Sequence, residues 1–292
     1  FTDTDLNLGG TAGATTVVVT GSGANYNVAA SGMTVTGTVF VTITDTAGTD
    51  AAGNPSAAST STDNTVTYDT GAPTVTINQA VAQVDPTNAS PINFTVVFNK
   101  PVTGFTNADV LLTGTAGATT VVVTGSGANY NVEASGMAGS GTVIASIPAG
   151  RAVDSANNGN IASTSTDNTV TYDISDPTAT INQAAAQADP TNSSPINFTI
   201  EFSEPVFGFT SADITMGGTA GATTAVVTGG GTTYNVAVSG MVTDGTVTAA
   251  LGAGVVTDVT GNSNVAATST DNEVTYNTTN PTVLVEKAVG QA

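Results

Sequence analysis

Cysteine, histidine and tryptophan do not occur in these 292 residues, and Lys plus Arg number 3 against 22 Asp plus Glu. Without thiols or imidazoles there are no disulfides, cysteine nucleophiles or histidine bases, and most zinc or copper sites are excluded. The cations are Lys100, Arg151 and Lys287, and the formal net charge is −19. Such a chain repels phosphate backbones and anionic headgroups, so neither nucleic acid nor a membrane surface is expected as a partner. Divalent cations are the natural counterpart. There is no apolar run long enough to span a bilayer and no basic-then-apolar leader, so no membrane insertion or signal peptide is expected in this segment. The start at Phe1 reads as a piece of something longer. The apolar content of 39% suffices to build cores.

What is present is a repeat. GTAGATT begins at Gly10, Gly114 and Gly218, TSTDN at Thr60, Thr164 and Thr268, and Pro-Thr at Pro73, Pro177 and Pro281, each spaced by 104 residues. Residues 10–28 recur unchanged at 114–132. A period of that length matches one small domain rather than a solenoid coil. Two units are complete, 73–176 and 177–280. They are preceded by 1–72, a partial repeat lacking its first strands, and followed by 281–292, the first strand of a further repeat. Apolar and polar residues alternate, as in the run from Ile92 to Phe98, which predicts a strand burying Ile92, Phe94, Val96 and Phe98. Seven strands are predicted per unit, at 73–79, 91–98, 108–113, 119–124, 129–135, 141–147 and 168–173. Gly125-Ser126-Gly127 reads as the loop between the fourth and fifth. No segment carries a helical apolar stripe. The fold class expected is all-β, as tandem seven-stranded Ig-like β-sandwiches. Tyr26, Tyr130 and Tyr234, with Phe1, Phe105 and Phe209, read as core or corner aromatics.

VTYDISDPTATINQA (170–184), the run DPTNSSPINFTIEFSEPVFGFTSADI (189–214) and the loops AGTDAAGNPS (47–56), AVDSANNGN (152–160) and VVTDVTGNSN (255–264) resemble bacterial Ig-like tandem repeat domains of large secreted or surface adhesins. The resemblance covers the whole chain. It implies an extracellular or cell-surface location, modular stacking and calcium at or near domain junctions.

Acids recur in the same columns: Asp5/Asp109/Asp213, Asp50/Asp154/Asp258 and Asp63/Asp167/Asp271, with Asp69/Asp173 becoming Asn277. In a seven-stranded sandwich Asp109, Asp154 and Asp167 are expected at one pole, facing Asp69 from the preceding unit. Asp213, Asp258 and Asp271 are expected to face Asp173 and Asp176 at the next junction. Clustered carboxylates with loop carbonyls and Asn amides suit Ca²⁺, which takes six to eight oxygens. The alternative is that these acids form turns by accepting backbone N–H bonds. Asp63, Asp167 and Asp271 are the most purely structural set. Glu201 and Glu204 suggest a glycosidase pair, but the preceding unit has Val97 and Lys100 in those columns, so no enzyme is expected. With a lysine in only one of the two full units, a recurring isopeptide crosslink is not expected either. The function expected is a non-enzymatic extender, or stalk, of an adhesin, stiffened by calcium and partnered by neighbouring repeats. The alternative is a self-assembling extracellular filament or sheath subunit, built by strand complementation between copies.

Overall fold

A computed structural model describes residues 1–287 and 289–290. Its regular elements are 18 strands and three single 3₁₀ turns. The chain forms two compact units, one made of 1–83, 91–136 and 143–169, the other of 84–90, 137–142 and 170–292. These divisions fall inside the repeat 73–176 rather than at its ends.

In the first unit, β1 (Leu6–Gly9), β4 (Gly37–Ile43) and β5 (Thr65–Tyr68) form one sheet, and β2 (Thr16–Ser22) pairs with β3 (Asn25–Ser31). They are followed by β6 (Val75–Gln79), β7 (Ile92–Val102), β8 (Leu111–Thr113), β9 (Thr120–Ser135) and β10 (Gly141–Ser146). β6, β7 and β9 make an antiparallel sheet, and β8 pairs with β10. The alternation along β7 places Ile92, Phe94, Val96 and Phe98 in the core, none more than 2% exposed. Two details differ from the sequence expectation. β7 continues past Phe98 to Val102 through an irregularity, and Val102 lies opposite Gly127. β9 is continuous where a loop at Gly125-Ser126-Gly127 was predicted. Gly125 (φ 115°) and Gly127 (φ 67°) turn the chain in conformations open to glycine, tightly enough for the turn to stay on the ladder.

The second unit contains nearly all of β11 (Thr169–Tyr172) and a complete sandwich. Its strands are β12 (Ala179–Gln183), β13 (Ile196–Phe202), β14 (Ile214–Gly217), β15 (Thr224–Gly230), β16 (Thr233–Ser239), β17 (Gly245–Leu251) and β18 (Glu273–Tyr276). The sheets run β12-β13-β16-β15 and β14-β17-β18. This four-plus-three division is that of a constant-type Ig sandwich. Phe198, Ile200, Val236, Val247 and Val274 are fully buried between the sheets. Phe202, Phe209 and Tyr234 meet edge to face, the ring arrangement their quadrupoles favour.

Residues 1–72 leave their inner face open. Tyr26 is 41% exposed where Tyr234 is 9%, and Val66 is 68% exposed where Val274 is fully buried. A cavity of about 700 Å³, lined by Leu6, Tyr26, Val28, Val39 and Val41 among others, lies against that face. No strands equivalent to β12 and β13 cover it among the described residues. At the other end, 281–287 form no strand, and Val283, Leu284 and Val285 are exposed. A first strand forms by pairing, as β12 does with β13, and among the described residues no strand pairs with 281–287. Ala288, Gln291 and Ala292 of the expected strand lie outside the described residues. Among those residues no helix is long and apolar enough to cross a membrane.

Candidate functional site

The loop between β17 and β18 is built around Asp258. Its Oδ1 accepts N–H bonds from Thr260 (2.8 Å) and Asn262 (2.9 Å), and its Oδ2 accepts Asn262 Nδ2 at 2.8 Å. Gly261, with φ 93°, provides the left-handed step that lets the loop curl back. The same closure recurs at Asp50 with Asn54 and at Asp154 with Asn158. The Asp-to-Asn spacing of four is therefore a structural loop motif. Behind it, Asn264 is 2% exposed and ties four backbone groups together, accepting from Val255 and Val256 and donating to Gly252 and Val265.

The Asp154 and Asp258 loops each reach the end of the strand that closes the preceding repeat. In the first unit Asn158 Nδ2 donates to the Asp69 carbonyl at 3.0 Å; in the second, Asn262 Nδ2 donates to the Asp173 carbonyl at the same distance. Here the two places diverge. Lys100 Nζ lies 2.9 Å from Asp69 Oδ2 and 2.9 Å from Asp154 Oδ2, and donates to the Gly71 carbonyl at 2.6 Å. Its three donors are thus matched to three acceptors. Burial pushes the Asp154 carboxyl up, but hydrogen bonds from Lys100 and Asn158 outweigh that and hold it at about 2. Asp69 is lowered by Lys100, and Lys100 is raised by both aspartates.

In the second unit the column of Lys100 holds Glu204. Asp173, Glu204 and Asp258 form the one group of three or more acidic side chains, among the described residues, whose ligating oxygens lie within 4.8 Å of one another. Glu204 is raised by desolvation and then by the charges of Asp258 and Asp173. Asp258 is nearly buried. Desolvation raises it, but its bonds from Asn262 and Thr260 prevail and lower it. Three carboxylates held this close repel one another unless a cation or protons intervene.

The remaining expected ligands lie elsewhere. Asp109 and Asp213 cap single 3₁₀ turns, accepting the N–H and hydroxyl of Thr106 and Thr210 respectively. Asp167 and Asp271 are exposed and offer their backbone N–H groups to Asn78 and Asn182. Asp176 is exposed in the linker. Of the nine expected positions, Asp69 with Asp154 and Asp173 with Asp258 are brought together. Glu204 was not among them. Its signal in the sequence is the exchange of Lys for Glu one period apart.

Residues 173–277 match the family of bacterial Ig-like domains. The sandwich of the second unit is thus a bacterial Ig-like domain. Among curated proteins none matches the chain.

Proposed function

We propose that the chain is a non-enzymatic structural segment of an extracellular bacterial adhesin, with each 104-residue repeat acting as one Ig-like domain, and that Ca²⁺ joins two repeats at Asp173, Glu204 and Asp258. The observation that carries the calcium reading is the convergence of those carboxylates, one from the end of repeat 73–176 and two from repeat 177–280. Their donor set suits a hard cation: one carboxylate oxygen from each of three residues, with no sulfur or nitrogen ligand. A bound ion would neutralise the repulsion and hold the Asp173 strand end to the Asp258 loop. The group around Asp69 does not fit a metal, because the Lys100 ammonium already occupies the space between its carboxylates.

An ion that binds only the folded junction stabilises it by about 2.7 kcal/mol at a hundredfold excess over its dissociation constant. Amides of 173–176 and 258–262 should therefore exchange with deuterium up to about 100-fold more slowly in calcium than in chelator. Amides of 69–72 should not respond. Equal rates in both conditions at 173–176 and 258–262 would refute the calcium reading.

A second reading, kept beside the first, is a self-assembling filament subunit in which copies of the chain join by β-augmentation. Electron microscopy of the purified chain separates the two. Isolated particles support the stalk, and regular fibres support the filament.

A further inference from the structure

Resting on that calcium reading, we infer that the residue in the Lys100/Glu204 column decides whether a junction takes a metal: Lys100 is a tethered cation that replaces one, and Glu204 turns the same constellation into a site for a divalent ion from solvent. The aspartates and the loop asparagine recur in both places, while Thr260, in the column of Ala156, adds hydroxyl bonds to Asp258 and to the Asp173 carbonyl in the second. In both places a strand-end aspartate (Asp69 or Asp173) offers its carbonyl to the loop asparagine (Asn158 or Asn262), and a loop aspartate (Asp154 or Asp258) lies beside it. Among the charged side chains of the two groups, only the one in the Lys100/Glu204 column changes sign.

The first group is itself evidence that this geometry accepts a cation, since an ammonium sits 2.9 Å from both aspartates. Charge then makes the two places equivalent. Asp69, Lys100 and Asp154 sum formally to −1, whereas Asp173, Glu204 and Asp258 sum to −3. One divalent ion restores −1. A monovalent ion leaves twice that charge, and a carboxylate, having no donor, cannot serve as its own counterion. Glu204 accordingly has neither a hydrogen bond nor an ion pair from another described residue, while Lys100 has three partners.

The inference gives a stoichiometry. Calorimetric titration of the full chain with calcium chloride should find one site in the wild type, none in Glu204→Lys and two in Lys100→Glu, with circular dichroism confirming that each variant is folded. Glu204→Gln, nearly isosteric, should weaken binding by at least about tenfold, because affinity tracks the number of ligating charges. Should Lys100→Glu fail to fold in chelator, Lys100→Gln keeps the question decidable by gaining calcium-dependent protection of amides 69–71. Retention of the site in Glu204→Lys, or no calcium response at 69–71 in either Lys100 variant, overturns the inference. Absence of any site in the wild type would instead refute the calcium reading beneath it.

Discussion

Phe198→Ala should destabilise the repeat 177–280 by about 3–5 kcal/mol, the range for truncating a fully buried phenylalanine whose cavity cannot collapse. Phe198 lies at the centre of β13 with no exposure, pairs in register with Val236, and is enclosed by the core that includes Ile196, Ile200 and Val247. A domain of this size has a total stability of roughly 5–15 kcal/mol, so the variant repeat should be marginal or unfolded at physiological temperature. If each repeat owns its core, chemical denaturation of the full chain should then resolve two transitions. The earlier one would be lost signal from 177–280, and the later one would stay near the wild-type midpoint. A single transition displaced as a whole would show instead that the repeats unfold as one cooperative body.

Asn264→Ala should be nearly as damaging although it removes only one polar side chain. Four backbone groups around Gly252, Val255, Val256 and Val265 lose their partner at once. Each buried group left unpaired costs roughly 1–3 kcal/mol, so with water rescuing two of the four the loss is about 2–6 kcal/mol. The damage should centre on the Asp258 loop, since the backbone groups of Gly252, Val255, Val256 and Val265 that lose the Asn264 side chain flank it. Thermal unfolding followed with and without calcium provides the check. The variant should melt lower and lose most of its calcium-dependent stabilisation. An unchanged melting point would mean that the loop is held by Asp258 and Asn262 alone.

The strands were legible because alternation is a direct print of burial. The run from Ile92 to Phe98 has one solution that hides its large side chains, and the fold adopts it. The turn at Gly125-Ser126-Gly127 was misread because glycine clusters announce a change of direction without saying whether the ladder breaks. The candidate site was only half legible. Persistence across repeats selected Asp109, Asp167, Asp213 and Asp271 as readily as Asp154 and Asp258. Yet capping a 3₁₀ turn, as Asp109 and Asp213 do, preserves an aspartate as effectively as any ligand role. Glu204 was passed over for the converse reason. A column that changes from Lys to Glu looks unconstrained until the structure places both residues against the same pair of aspartates.

Diffraction from crystals of the full chain grown in calcium chloride distinguishes a metal at one acidic junction and a lysine at the other from the alternatives. The expected result is an ion at about 2.3–2.6 Å from oxygens of Asp173, Glu204 and Asp258, with the Lys100 ammonium and no ion between Asp69 and Asp154. Density showing those three carboxylates without an ion at saturating calcium, or an ion displacing Lys100, would contradict it.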